Sequence, residues 1–246
     1  MKALIPRLSS LENHIPTMPI LQQIHALNNQ GVELLMSSQS SGASEVFQGA
    51  LQLLVRTATD GERRHNDVNV HISDARKLDN DVPEFVLGQS HSVVPDLQAK
   101  HFFVYDHAIT IMEPTVPKCN DETISQLSSA VMFNWALVFH REGMLGSEGS
   151  LKKASLLYAR CLRILSLNAA VQSKQTTTVL AFLALNNRAQ IHYELCDYSE
   201  SCSCMTQVTR ILETAPNLEC FLLTSRIVVE EIYRNTMLSP TAAQAA

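Results

Sequence analysis

The chain has 246 residues, of which 46% are apolar, and it carries a formal net charge of -5 with a pI near 6.0. This length supports one large domain or two small ones with a substantial core, and the apolar share is ordinary for a globular protein. An acidic chain without a basic stripe is a poor match for phosphate, so we expect no nucleic-acid partner.

The sequence also lacks the patterns of membrane insertion and secretion. No apolar run approaches the ~18 to 20 residues of a membrane span, and the start, Met1-Lys-Ala-Leu-Ile-Pro-Arg, has no apolar block of a secretory signal. The cysteines fall mostly within helical patterns, where they resemble small buried residues more than a disulfide framework. We therefore expect an intracellular protein, cytoplasmic or nuclear, with no membrane partner and no cofactor.

The predicted elements begin after an arm at residues 1–19, which contains three prolines and little periodicity. From Ile20 the apolar spacing predicts a helix, and after a Ser/Gly turn at residues 37–42 it predicts a second helix. Gly31 on the first helix and Ala43, Phe47 and Ala50 on the second form a small-large-small pattern, and we expect the two helices to cross at the small residues. Small residues let the backbones approach to ~8 to 10 Å, and the aromatic ring fills the gap beyond them.

Residues 60–119 interrupt the helical pattern. This stretch contains four prolines and five of the nine histidines, and residues 68–72 and 101–111 have the composition of extended segments. A stretch this long is unusual inside a compact domain unless it is a functional insertion or partly disordered. We expect its first part to be disordered and residues 102–111 to dock on the helices.

Helix is predicted to resume after Asn120, with acidic residues in its first turn, and to end near Gly143. Its apolar side carries Leu127, Val131, Trp135, Ala136 and Phe139. A partner helix after residues 144–149 repeats the first crossing pattern at Ala154, Tyr158 and Cys161. The spacing from Ala136 to Ala154 predicts a turn about six residues longer than is usual in the repeat family that these hairpins resemble.

A third hairpin is predicted over residues 180–212, with its turn at Cys196-Asp197. Asp197 and Glu200 have the spacing of a capping box, in which each side chain bonds a backbone N–H group of the other residue. A last helix is predicted from Asn217 as a terminal cap, followed by a disordered tail at residues 239–246. The sequence thus favours one all-α domain over residues 20–238.

The three first helices align at Leu27-Asn-Asn-Gln-Gly31, Met132-Phe-Asn-Trp-Ala136 and Leu185-Asn-Asn-Arg-Ala189. Each has an asparagine two residues before the small residue. With hairpins of about thirty-four residues, this chain resembles a divergent tetratricopeptide-repeat protein. The resemblance implies an α-α superhelix of about seven helices, with a loop and short-strand insertion after the first hairpin.

In that family the asparagine at this position faces a concave groove and bonds the backbone of an extended peptide. The resemblance therefore implies a peptide-binding groove formed by Asn29, Asn134 and Asn187, with His140 and Tyr193 from the neighbouring turns. The alternative is that each asparagine is tolerated on a polar face or bonds the adjacent helix.

Two other clusters have residue types that can support chemistry. His192, Cys196, Cys202 and Cys204 have zinc-ligand types, but Cys202 and Cys204 point about 200° apart on one helix, so we predict no metal site. Tyr105-Asp106-His107 with Cys119 has the components of a nucleophile and base, although the spacing does not enforce that geometry.

We therefore expect a non-catalytic scaffold that binds a protein or peptide in the helical groove. The competing hypothesis is an enzyme with a site between the 60–119 insertion and the helices, which predicts a polar pocket containing Asp106 or His107. Self-association through exposed apolar flanks is a third hypothesis.

Overall fold

The computed structural model describes residues 19–67, 85–87, 104–111, 121–168, 175–215 and 232–236. These residues form an all-α fold with a small two-stranded antiparallel sheet. Within them the helices are α1 (Ile20–Met36), α2 (Ser40–Asp67), α3 (Asp121–Met144), α4 (Glu148–Asn168), α5 (Gln175–Glu194) and α6 (Tyr198–Thr214), and residues 232–236 are also helical. Strands β1 (Phe85–Leu87) and β2 (Ile109–Ile111) lie between α2 and α3 in the chain.

The helices form three hairpins, α1 with α2, α3 with α4, and α5 with α6, and the hairpins pack on each other through α2 with α3 and α4 with α5. The three predicted hairpins are thus confirmed. Several predicted features lie outside the described residues: the arm before residue 19, the extended segment 68–72, the cap at Asn120, the start of the last helix at Asn217 and the tail at 239–246.

The crossing inside each hairpin occurs where the sequence places its smallest residues. Gly31, Ala136 and Ala189 are all buried. A Cβ atom built on Gly31 would lie 2.5 Å from Cε1 of Phe47, so the ring occupies the space that a side chain at position 31 would need. In the third hairpin, the hydroxyl of Ser201 donates to the carbonyl of Ala189 at 2.9 Å, so a polar contact joins the two helices there.

The second hairpin corrects the prediction of a longer turn. Each hairpin turns through three residues, at 37–39, 145–147 and 195–197. Instead, α3 continues to Met144, eight residues past Ala136, whereas α1 and α5 end five residues past their small residue; α4 likewise begins three residues earlier. The six additional residues therefore add about one turn to each helix. Gly143 forms a second crossing there, because a Cβ atom on it would lie 2.9 Å from the backbone nitrogen of Leu151.

The middle residue of each turn has a left-handed backbone. The φ angles are 60° at Ser38, 107° at Gly146 and 58° at Cys196. This conformation returns the chain onto the end of the preceding helix, so that the N–H of Gln39 donates to the carbonyl of Leu34 at 2.8 Å. Only glycine adopts it without steric cost, so Ser38 and Cys196 are strained where Gly146 is not.

The capping box predicted at the start of α6 is half correct. The Asp197 carboxylate accepts the N–H of Glu200 at 3.4 Å, as a helix N-cap does. The Glu200 carboxylate instead lies 3.4 Å from the guanidinium of Arg188 on α5. The third hairpin is therefore closed by an ion pair between its helices, in addition to the cap.

Candidate functional site

Residues 104–111, here called the docked segment, lie across α5, α3 and α1 in that order. The prediction that residues 102–111 dock on the helices is confirmed for 104–111, whereas 102 and 103 lie outside the described residues. Its last three residues form β2, which pairs with β1 in the register Phe85 to Ile111, Val86 to Thr110 and Leu87 to Ile109. The helices thus lie along one edge of the docked segment and β1 along the other.

Three asparagines, here called the asparagine row, hold the backbone of the docked segment. Asn29 bonds Ile111, Asn134 bonds Ile109, and Asn187 bonds Tyr105. In each pair the side-chain Oδ1 accepts the backbone N–H, at 3.1, 2.7 and 2.9 Å respectively. The Nδ2 group donates to the carbonyl of the same residue, at 3.0, 2.8 and 2.7 Å. Each amide therefore occupies the place that a peptide group of a neighbouring strand would take in a sheet.

The docked segment can bond the asparagine row along one edge and β1 along the other because of strand geometry. Successive residues of a strand direct their N–H and C=O groups to opposite sides. Since Ile109 and Ile111 face the asparagine row, Thr110 faces β1, where Val86 stands opposite it. The row and β1 together provide partners for the backbone of residues 109–111, which would otherwise be buried with unpaired polar groups.

Asn28 fixes the orientation of two members of the row. Its Nδ2 group donates to Oδ1 of Asn29 at 3.1 Å and to the carbonyl of Ile109 at 3.1 Å. Its Oδ1 accepts from Nδ2 of Asn134 at 2.9 Å. If the amide of Asn134 were flipped, its oxygen would face the oxygen of Asn28, so the donor and acceptor positions are determined by the network.

Asn187 is oriented by a buried chain of polar groups. Its Nδ2 group donates to the hydroxyl oxygen of Tyr158 at 3.1 Å as well as to the docked segment. The Tyr158 hydroxyl lies 3.4 Å from Nδ1 of His140, and Nε2 of His140 lies 2.7 Å from Oε1 of Gln190. The amide oxygen of Gln190 can only accept a hydrogen bond, so His140 carries its proton on Nε2. Its Nδ1 then accepts a hydrogen bond from the Tyr158 hydroxyl.

The titration of this chain of groups is shifted by its burial. Burial lowers the pKa of His140 to about 4, and the hydrogen bond to Gln190 opposes that shift only in part. Burial also raises the pKa of the Tyr158 phenol, which the hydrogen bond from Asn187 partly offsets. His140 and Tyr158 are therefore neutral near pH 7, and the network keeps one arrangement of donors and acceptors.

Arg141 forms a second type of contact with the docked segment. Its guanidinium donates to the carbonyl of Asp106 at 2.6 Å and to the carbonyl of Leu35, at the end of α1, at 3.2 Å. Arg141 stands in the last turn of α3, where a cation is favoured by the helix dipole. The structure shows that it joins the docked segment, α1 and α3.

Of the five residues predicted for the groove, three contact the docked segment and two lie elsewhere. Asn29, Asn134 and Asn187 are brought together on one side of the helices and bond the backbone of an extended segment. His140 is buried behind Asn187, and Tyr193 lies edge-on against Tyr198 near the third turn. The sequence missed Asn28, Arg141 and Tyr158, although the Asn-Asn doublet at residues 28 and 29 was a visible signal.

The cluster of zinc-ligand types is dispersed in the structure. Among the described residues, no group of three His, Cys, Asp or Glu side chains lies close enough to hold a metal ion. The ring nitrogens of His192 lie 3.1 Å from the carboxylate of Asp197 and 3.1 Å from the hydroxyl of Ser155. Burial raises the pKa of Cys204 to about 11, which disfavours the thiolate that binds metals.

The nucleophile-and-base hypothesis gains no support from the geometry. The Asp106 carboxylate lies 3.6 Å from Nε2 of His107, and both side chains are partly exposed on the docked segment. Cys119, the nucleophile in that hypothesis, lies outside the described residues.

The chain matches no protein-family model, no curated protein and no solved structure. The resemblance to tetratricopeptide-repeat proteins accordingly stays a prediction. No helix in the described ranges combines the length and the apolar character needed to cross a membrane.

Proposed function

We propose that this protein is a non-catalytic, intracellular scaffold of the tetratricopeptide-repeat type, which binds an extended segment of a partner protein on its asparagine row. The observation that carries the proposal is that Asn29, Asn134 and Asn187 each bond both backbone groups of one residue in an extended chain. Bonds to the backbone can form with any sequence in that conformation, which is how strand addition gives affinity in peptide recognition.

The setting of the row favours a binding surface over an ordinary helix contact. The three asparagines occur at matching positions of three hairpins, and each amide has a further partner that holds it in place. Asn134 and Asn187 are fully buried in the present arrangement, so their amides would lose these bonds without an extended chain beside them. Each hydrogen bond that such a pre-oriented amide forms with an extended chain contributes a net of about 0.5 to 1.5 kcal/mol, which makes the row a surface that favours an occupant.

In the present arrangement the occupant is the protein's own docked segment, and the test must therefore open the surface first. We define the opened chain as the full-length protein with Ile109→Pro and Ile111→Pro. Proline has no backbone N–H, so these changes remove the donors to Asn134 and Asn29. Circular dichroism is used to establish that the helices of the opened chain remain folded.

The experiment presents the opened chain to a display pool of random octapeptides. The matched control is the opened chain that also carries Asn134→Ala and Asn187→Ala. We expect octapeptides to be enriched on the opened chain and to lose binding on the control. Enrichment that is equal on both proteins, or no enrichment on a folded opened chain, would refute peptide binding by the asparagine row.

A further inference from the structure

The docked segment buries four of its side chains. Tyr105, Ala108, Ile109 and Ile111 are each 1 to 2% exposed, whereas Asp106, His107 and Thr110 are only partly covered. The covered side chains contact the helices, so their size and polarity affect docking, and the others can vary. The pattern is aromatic, two variable residues, small, aliphatic, one variable residue and aliphatic.

The segment is also held in one direction. Its beginning at Tyr105 lies on α5 and its end at Ile111 lies on α1. Reversing the chain would exchange the places of the N–H and C=O groups opposite each amide. The amides cannot exchange their own ends to follow, because Nδ2 of Asn134 is also bonded to Asn28 and Nδ2 of Asn187 to Tyr158.

The aromatic residue of the docked segment fits its surroundings imperfectly. The Tyr105 ring packs against Phe133, with ring centroids 6.3 Å apart, and against His107 at 5.4 Å. Its hydroxyl is buried and has no hydrogen-bond partner among the described residues. Burying a hydroxyl without a partner opposes docking, whereas a phenylalanine ring would make the same apolar contacts without that penalty.

We infer that the docked segment is an internal competitor for the asparagine row. The external partner then presents an extended stretch of the same pattern and direction, with phenylalanine where this chain has Tyr105. This inference rests on the proposed function and adds the chemical class of the partner. The unpaired hydroxyl weakens the internal segment, so that a better matched segment can displace it.

Competition of this kind has a quantitative consequence. An external peptide binds only the fraction of molecules whose own segment is undocked, and its apparent Kd is the intrinsic Kd divided by that fraction. Any change that strengthens the internal segment should therefore weaken binding of an external peptide by the same factor.

The experiment uses four labelled octapeptides and fluorescence anisotropy. The first copies residues 104–111, the second is that copy with Tyr105→Phe, the third is the copy with Tyr105→Ala, and the fourth is the copy in reversed order. Each is titrated with the wild-type chain, with the opened chain, and with the full chain carrying Tyr105→Phe.

On the opened chain we expect the Tyr105→Phe peptide to bind about tenfold tighter than the copy, and the Tyr105→Ala and reversed peptides to bind at least about tenfold more weakly than the copy. The wild-type chain should bind the copy at least about tenfold more weakly than the opened chain does. The chain with Tyr105→Phe is used without the two proline substitutions. Because its own segment docks more tightly, it should bind the Tyr105→Phe peptide ~10-fold more weakly than the wild-type chain does.

Three results would overturn the inference while leaving the proposed function intact, provided that display had enriched other octapeptides in an asparagine-dependent manner. They are equal binding of the forward and reversed peptides, equal or tighter binding of the copy compared with its Tyr105→Phe form, and equal binding by the wild-type and opened chains. Concentration-dependent dimers of the wild-type chain that exchange the docked segment, detected by light scattering, would assign the surface to a second copy and would also overturn it.

Discussion

Asn134 gives the sharpest test of the asparagine row, because it is fully buried and stands between the other two members. Asn134→Ala removes the acceptor for the Ile109 N–H and the donor to Oδ1 of Asn28. The carbonyl of Ile109 keeps one donor, because Nδ2 of Asn28 also bonds it at 3.1 Å. The substitution therefore leaves two buried polar groups without a partner.

Each such group costs about 1 to 3 kcal/mol, so two of them give a loss of up to about 6 kcal/mol, and at least about 2 kcal/mol, in the free energy of unfolding. Undocking of residues 104–111 exposes both groups to water, so the loss cannot exceed the free energy of docking. We expect about 2 to 4 kcal/mol for Asn134→Ala, and less for Asn29→Ala because Asn29 is only partly buried. Gln207→Ala, which removes an exposed amide from α6, is the matched control and should change stability by less than about 0.5 kcal/mol.

Two measurements check this prediction. Urea unfolding gives the difference in free energy, and hydrogen exchange followed by NMR gives the protection of individual amides. The Ile109 amide should exchange much faster in the Asn134→Ala protein, while amides in the middle of α4 should keep their protection relative to global unfolding. A loss as small as that of the control, or an unchanged exchange rate at Ile109, would show that the row does not hold the docked segment.

Three further predictions concern the fold that supports the row. His140 is neutral in the fold, so its stabilising effect is complete above pH 6.5 and is lost as pH falls toward about 4. Urea unfolding at a series of pH values should show a decrease of about 3 kcal/mol in the free energy of unfolding over this range. The same measurement on the His140→Gln protein should not show this decrease. Gly31→Leu should lower the free energy of unfolding by about 1 to 3 kcal/mol, because the Phe47 ring occupies the space. The control Gly42→Ala should be tolerated, because the nearest side-chain atom would lie 3.6 Å from the new Cβ. Equal melting temperatures of the two variants would contradict this prediction. Both Ser38 and Gly146 have a left-handed backbone, which only glycine adopts without strain. Ser38→Gly should therefore raise the free energy of unfolding by up to about 1 kcal/mol, and Gly146→Ala should lower it by a similar amount. Changes of the same sign in the two variants would show that backbone strain does not cause them.

Much of the helical framework could be predicted from local sequence. The start of α1 at Ile20, the turn at Cys196-Asp197 and the small residues at the crossings all follow from spacings within one or two turns of helix. Such spacings determine which side of a helix is apolar and where it can approach another helix closely. The alignment of Asn29, Asn134 and Asn187 was visible for the same reason, since each stands two residues before a small residue at a crossing.

The length of the second hairpin shows the limit of this reasoning. A spacing of eighteen residues between Ala136 and Ala154 is compatible with a long turn or with two longer helices. The choice depends on whether the additional turn of each helix can be packed. Gly143 permits that packing, because it allows close approach to Leu151, and this contact forms only when the two helices are already side by side.

By itself, the sequence determined that the chain forms helical hairpins and that three equivalent asparagines lie on their first helices. Only the tertiary structure decided that residues 104–111 fill the surface that those asparagines form. The physical reason is that these bonds join groups up to 82 positions apart, as between Tyr105 and Asn187, so no local periodicity encodes them. Their existence depends on three helices that place their amides at the spacing of a strand, and on Asn28 and Tyr158 to hold those amides in the correct orientation.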